Sequence, residues 1–148
     1  MACRMKIKTV SCMTAQNNQR IALNENESDL YFRIENIKGT FSGTLCIGSG
    51  GFFCETPIYF NKKLISTFLS NLKSMYSSLA GNASIQEDYE ETFVNLEIDS
   101  QGHVIVSGQA SVLSEHSNTL NFTFATDQTE LPYLIETTQT YLNHQNMS

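Results

Sequence analysis

Proline and positive charge are scarce in this chain, and each shortage argues against a class of protein. Two prolines in 148 residues argue against an architecture rich in linkers, in which proline is common. Nine Lys and Arg stand against fifteen Asp and Glu, so the net charge is −6. A protein that binds the phosphate backbone relies on cations that displace counterions. The composition therefore predicts no nucleic-acid partner and favours a basic protein as partner.

Long apolar runs and paired cysteines are also missing. No window approaches the roughly 18 apolar residues of a membrane-spanning helix, and the opening MACRMKIKTVSCMTAQNNQR lacks the apolar stretch of a secretory signal. Cys3, Cys12, Cys46 and Cys54 form no CxxC pair. We therefore predict reduced thiols, a cytoplasmic protein and no membrane partner.

Motifs of catalysis and metal binding are absent from the sequence. His103, His116 and His144 lie too far apart for HxxxH or HExxH, and no cysteine stands at zinc-ligand spacing from another. Ser49 in IGSGGFF lacks the G-x-S-x-G elbow, and the same glycines lack the GK[ST] ending of a phosphate loop. We predict no catalytic residue, no metal and no cofactor, and hence no enzyme.

What is present is the pattern of one folded domain. Hydrophobic residues make up 41% of the chain, and its length suffices to bury a core without cross-links. We predict a single domain over residues 1–148 with its core at about 20–142. In LYFRIENI, Leu30, Phe32 and Ile34 alternate with Tyr31, Arg33 and Glu35, which predicts a strand with one buried face.

Further strands are predicted up to Phe60, with an earlier short one near Arg20–Leu23. From Asn61 the pattern becomes helical, with Asn61 as cap and Gly81 closing the end. Its apolar residues are Leu64, Ile65, Phe68, Leu69, Leu72, Met75, Tyr76 and Leu79. Three more strands and a second helix, capped by Asp127 or Thr129, complete the chain. This order of antiparallel meanders, each followed by a helix, predicts the α+β class.

The segment IQEDYEETF concentrates negative charge in a predicted loop, with Glu87, Asp88, Glu90 and Glu91 around Tyr89. Such carboxylates can be an acid/base pair, a metal cage, a solvated loop or a surface for a basic partner. A mobile, hydrated loop argues against catalysis, and the segment lacks the ligand spacing and glycine of a calcium loop. A solvated loop and a recognition loop both remain open. On the second reading Glu87, Asp88, Tyr89, Glu90 and Glu91 bind the partner, with Tyr89 or Tyr31 as desolvated anchor.

Four stretches in succession resemble the WapI-like immunity proteins and other immunity proteins of contact-dependent growth inhibition systems. They are NKKLISTFLSNLKSMYSSLAG, EETFVNLEID, QGHVIVSGQASV and LNFTFATDQTEL, and the resemblance extends over about Asp29 to Leu142. It implies a cytoplasmic bacterial protein that binds and blocks a toxin domain, often a nuclease. An acidic protein that masks a basic nuclease agrees with the net charge.

Two other functions are kept as alternatives. The repeated order of strands and helix is similar to the Whirly single-stranded-DNA binders, which would make this chain a single-stranded nucleic-acid-binding module. Such a module needs a cationic groove with stacking aromatic residues, and Lys62, Lys63 and Lys73 on one helix make a poor groove. A small hydrolase with a dispersed site is the third reading. The patterns leave the oligomeric state open.

Overall fold

The computed structural model describes residues 2–5, 20–23, 30–38, 42–49, 51–86, 92–112 and 118–146. Before the first helix the chain forms a five-stranded antiparallel sheet, sheet A, in the order β1-β5-β4-β3-β2. Its strands are β1 (Ala2–Met5), β2 (Ile21–Ala22), β3 (Leu30–Lys38), β4 (Ser42–Ser49) and β5 (Phe52–Tyr59). The predicted meander is thus present, and the short strand expected near Arg20–Leu23 is β2.

The second sheet, sheet B, is a four-stranded antiparallel meander in the order β6-β7-β8-β9. Its strands are β6 (Asn82–Gln86), β7 (Phe93–Ile98), β8 (His103–Val112) and β9 (Asn118–Asp127). Sequence patterns predict three strands here and miss β6. This strand has five residues and buries only Ala83 and Ile85, and Gly81–Asn82, where it begins, has the composition of a turn.

Each helix begins at a side-chain cap. Asn61 Oδ1 accepts the N–H of Leu64 at 2.7 Å and starts α1 (Lys62–Ser78). Leu79 ends α1 with a left-handed φ of 57°, two residues before the glycine predicted for that role. Asp127 accepts the N–H of Thr129 at 2.9 Å and opens a 3₁₀ turn, Gln128–Glu130, that leads into α2 (Leu131–Asn146).

One hydrophobic core joins both sheets and both helices. Leu45 of sheet A, Phe68 of α1, Leu96 of sheet B and Tyr141 of α2 belong to it and are fully buried. The Tyr141 ring meets Phe60 edge-on, with centroids 6.5 Å apart, and burial raises the pKa of its hydroxyl to about 12. Since a single core links the two sheets, the α+β arrangement predicted from the sequence is confirmed.

Helix α2 closes the edge of sheet A at β2. The Thr137 hydroxyl accepts the N–H of Ala22 at 3.1 Å, and it lies 3.3 Å from the Ala22 carbonyl and 3.1 Å from the Leu134 carbonyl. A hydroxyl has one proton, so it donates to one of the two carbonyls at a time. The two-residue strand β2 is therefore held by hydrogen bonds to α2 as well as by its pairing with β3.

The prediction that β3 buries one face is wrong, because both faces are buried. Phe32 and Ile34 point into the main core, while Tyr31, Arg33 and Glu35 on the other face are at most 6% exposed. Tyr31 forms a second apolar cluster with Cys46 and Phe53. Arg33 and Glu35 form an ion pair within the strand, so the polar residues of the alternation lie inside the molecule beside an opposite charge.

The cysteines differ from their predicted state. Cys46 and Cys54 are disulfide-bonded, and no described cysteine is free, so the prediction of reduced thiols is wrong for these two. Cys46 lies with Tyr31 and Phe53, whereas Cys54 belongs to the main core on the other face of sheet A. The sequence contains no CxxC pair that would have indicated such bonds.

Candidate partner-binding site

The acidic segment Glu87–Glu91 lies outside the described residues, but the strands that it connects are described. Gln86 ends β6 and pairs with Phe93 of β7, so the segment connects neighbouring antiparallel strands of sheet B. Thr92 is 1% exposed, and its hydroxyl accepts the N–H of Ser111 at 3.0 Å. The sequence predicts a loop between helix and strand. Because β6 intervenes, the five acidic-segment residues instead connect two strands of one hairpin, beside a buried threonine.

Tyr31, the alternative anchor, is not available to a partner. Its side chain is 2% exposed and lies against Gly48, where a Cβ atom would come within 2.1 Å of the ring. The guanidinium carbon of Arg33 stands 4.5 Å from the ring centroid on the Tyr31 side chain, a cation–π distance. The prediction that Tyr31 can serve as an interface anchor is therefore wrong, because this side chain is already packed within the protein.

A buried ion pair accompanies Tyr31 on this face. Arg33 Nε and Glu35 Oε2 are 3.0 Å apart, and the two side chains are 7% and 0% exposed. The N–H direction is poorly aligned with the carboxylate, since neither Glu35 oxygen has a hydrogen-bond donor in the described part of the chain. The short distance still gives a strong Coulomb attraction at low dielectric. The pair is thus close but incompletely hydrogen-bonded.

Burial has the largest effect on the pKa of Glu35. Desolvation raises the pKa of this carboxyl above its usual value, against the opposing pull of Arg33 and Arg20. A raised pKa in a cleft can mark an acid or base in catalysis. Glu35 is fully buried, so no substrate reaches it in this conformation.

The histidine at position 103 belongs to a hairpin turn. Asp99 Oδ1 accepts the backbone N–H groups of Gln101 and His103, each at 2.9 Å, and these bonds lower the pKa of the Asp99 carboxyl. His103 Nδ1 lies 3.6 Å from Asp99 Oδ2, and its side chain is 55% exposed. His103 is the first residue of β8. Within the described ranges, no three His, Cys, Asp or Glu side chains gather as metal ligands would.

The sequence also fails to predict an apolar groove between the two helices. Tyr76 of α1 is 42% exposed, although its spacing placed it with the core residues. It lines a groove of about 450 Å³ with Pro132 and Ile135 of α2. Lys73 Nζ donates to Gln139 Oε1 at 2.9 Å across the same groove. Position 76 stands at the margin of the helix stripe, where periodicity alone does not separate a buried residue from an exposed one.

The sequence from residue 37 to residue 145 matches the model of the immunity protein WapI-like family. The chain belongs to this family. The match begins near the end of β3 and runs through β4, β5, sheet B and both helices. The resemblance predicted from the four stretches of sequence is thereby confirmed. Membership in a WapI-like immunity family makes the chain an immunity protein, and its partner is a toxin.

A solved structure has a similar fold. The crystal structures of MRP1/MRP2 from Trypanosoma brucei match with a TM-score of 0.53 and 11% sequence identity, and the match covers 86% of this chain and 84% of that chain. At this identity the likeness concerns the fold alone. No curated protein matches the WapI-like chain. In the part of the chain that the structure describes, no helix combines the length and apolarity needed to cross a bilayer.

Proposed function

We propose that this WapI-like protein binds the toxin domain of a contact-dependent growth inhibition system, a basic nuclease, and neutralises it without catalysis. The family match over residues 37–145 carries the proposal. The net charge of −6 supports a basic partner, because opposite net charges accelerate encounter and align the two surfaces. The protein would act by covering a surface of the toxin, so its own residues need no acid, base or metal.

The acidic segment Glu87–Glu91 is the part of the surface that we propose to contact the toxin. Four of the fifteen carboxylates of the chain fall within these five residues, and Tyr89 among them would supply apolar contact area. The segment connects β6 and β7, whose pairing fixes where it leaves and rejoins sheet B. Carboxylates in this position would steer association more than they add to affinity.

The direct test is calorimetric titration of the protein with the C-terminal domain of the polypeptide encoded immediately upstream, with nuclease activity followed in the same samples. We expect nanomolar binding and loss of nuclease activity at one equivalent. A folded toxin domain that neither binds nor loses activity would overturn the proposal. In that case an oligonucleotide titration at low salt tests the single-stranded nucleic-acid alternative, which predicts affinity that falls steeply with salt.

The contribution of the acidic segment is tested with two variants of equal charge. Glu90→Gln/Glu91→Gln removes two carboxylates from the segment, and Glu97→Gln/Glu136→Gln removes two exposed carboxylates elsewhere. We expect the first variant to associate several-fold more slowly than the second at low ionic strength. The difference should vanish near 1 M salt, where the Debye length is about 3 Å. Equal association rates for the two variants would remove the segment from the interface.

The proposed site of action is the cytoplasm of the cell that makes the protein. Reducing systems there keep thiols free, so this compartment requires that the fold survive without the disulfide bonds of Cys46 and Cys54. Both side chains are fully buried among apolar neighbours, where a free cysteine packs as a small hydrophobic residue. Rapid acid quenching of the cells, followed by alkylation of the denatured protein and mass spectrometry, should find both cysteines alkylated. Protection of either one would contradict the cytoplasmic assignment.

A further inference from the structure

Within the described ranges, no strand pairs with the outer edge of β9 in sheet B. β9 pairs with β8 over ten residues, from Asn118 to Asp127, without a shift of register, and it is the last strand of its sheet. Natural edge strands are commonly protected by lysine, proline, a bulge or short length, because unpaired backbone groups attract another chain. The sequence NTLNFTFAT has none of these before Asp127.

The hydrogen bonds of the neighbouring hairpin show which backbone groups of β9 face outward. Asp99 N donates to the His103 carbonyl, so His103 directs its backbone groups toward β7. Ser111 N, in the same phase of β8, donates to Thr92 Oγ1 beside β7. Successive residues of a strand direct these groups to alternate sides. The residues of β8 that bond to β9 are therefore the intervening ones, such as Val106, which pairs with Phe124.

The outward backbone groups of β9 belong to the residues between those pairs. They are Thr119, Asn121, Thr123 and Ala125, and their side chains are also exposed. Leu120, Phe122 and Phe124 direct their backbone groups to β8 and their side chains toward the core. The edge thus presents four N–H and C=O pairs beside small side chains, which is what an added strand requires.

We propose that an extended segment of the toxin adds to β9 as a fifth strand of sheet B. This inference rests on the proposed function and specifies how the toxin is held. Charge favours a toxin strand over a second copy of the chain, because two copies would bring together net charges of −6 each. Asp127 at the end of β9 and Glu130 in the 3₁₀ turn that follows would face cationic residues that follow the toxin strand.

The test uses a proline at one outward position. Thr123→Pro removes an N–H that points away from β8 and blocks strand addition, and proline is tolerated at such edge positions. Thr123→Ala keeps the N–H and serves as the matched control. Circular dichroism and thermal unfolding establish that both variants are folded. We expect Thr123→Pro to weaken binding of the upstream toxin domain by about tenfold or more, and Thr123→Ala to bind as the wild type does.

Amide hydrogen exchange by NMR gives a second measurement that does not need a substitution. Complex formation should slow exchange at Thr119, Asn121, Thr123 and Ala125, whereas Leu120, Phe122 and Phe124 are protected by β8 already in the free protein. Unchanged exchange at the four outward amides would overturn strand addition. So would a free wild-type dimer that Thr123→Pro converts to a monomer, since a second copy would then occupy the edge.

The outcomes separate the two proposals. If the wild-type protein does not bind the toxin domain, the proposed function fails and strand addition fails with it. If the wild type binds and a folded Thr123→Pro variant binds equally well, strand addition alone is wrong and the immunity function stands.

Discussion

At the scale of single residues, Glu35 places a carboxylate on a face of sheet A that solvent does not reach. Its nearest cation is Arg33, 3.0 Å away along the same strand, and Arg20 contributes a second attraction. Desolvation nevertheless outweighs both, because the carboxylate oxygens lack aligned donors among the described residues. The buried pair therefore affects the free energy of unfolding by an amount that depends on pH.

The pH dependence has a definite sign. Because the pKa of Glu35 is raised above its usual 4.5 in the folded state, the folded protein binds this proton more tightly than the unfolded chain does. The associated stability is fully present below pH 4.5 and is lost as the pH rises through the folded value. Glu35→Gln removes this titration. We expect wild-type stability to fall relative to Glu35→Gln by about 1.4 kcal/mol for each unit by which the pKa is raised.

Urea unfolding of both proteins between pH 4 and pH 8 measures this difference. Glu97→Gln, which removes an exposed carboxylate of β7, controls for the change in net charge. A wild-type protein that gains stability relative to Glu35→Gln as the pH rises would show that the two arginines outweigh burial. The pKa of Glu35 would then be lowered and not raised.

Residue patterns predicted the inner face of β3 and failed on its outer face for an identifiable reason. Alternation shows that Phe32 and Ile34 share a face, and it assigns the polar residues between them to solvent. Whether Arg33 and Glu35 are covered depends on tertiary packing that a strand pattern does not contain. The i, i+2 spacing of opposite charges, next to Tyr31 and close to Gly48 on β4, was the one available signal of a pair within the protein.

At the scale of elements, the contact between α2 and β2 connects the C-terminal helix to the edge strand of sheet A. Thr137→Val replaces the buried hydroxyl by a methyl group of similar size and leaves the N–H of Ala22 without its acceptor. A buried unsatisfied donor costs about 1–3 kcal/mol, so we expect a loss of that size in the free energy of unfolding. The m-value should not change, because the surface exposed on unfolding is the same.

Thr140→Val is the matched control, since Thr140 lies on the same helix but is exposed. Its effect should stay within about 0.5 kcal/mol, as for most surface substitutions. Equal stabilities for Thr137→Val and the wild type would mean that water or another group replaces the hydroxyl, and that β2 does not depend on α2.

The helices and the longer strands were predictable, and so was the two-residue strand β2, whereas β1 and β6 were not. The stripe of α1 and the cap at Asn61 follow from local chemistry that acts within one turn, and both are confirmed. β6 and β1 have five and four residues, too few for alternation to stand out. Missing β6 changed the predicted setting of the acidic segment, whose residues the sequence had placed after a helix.

At the scale of the whole molecule, strand meander and helix occur twice, and the two units share one core. The order of elements was predictable, because short turns make consecutive strands neighbours. The packing of sheet A against sheet B was not, since residues as distant in sequence as Leu45 and Leu96 belong to one core. Local patterns mark a candidate toxin-binding segment by its charge, whereas specificity depends on the shape and charge of the partner as well.

A shared core predicts that the molecule unfolds in one step. Leu45 of sheet A and Leu96 of sheet B are both fully buried in the same cluster, and replacing either with alanine removes packing worth about 2–5 kcal/mol. In a single cooperative unit, each variant lowers the midpoint of every probe together. We expect far-UV circular dichroism and tyrosine fluorescence to give coincident urea transitions for the wild type and both variants. Two separated transitions, with Leu45→Ala shifting one and Leu96→Ala the other, would show that the meander units unfold independently and that residues 1–148 are not one domain.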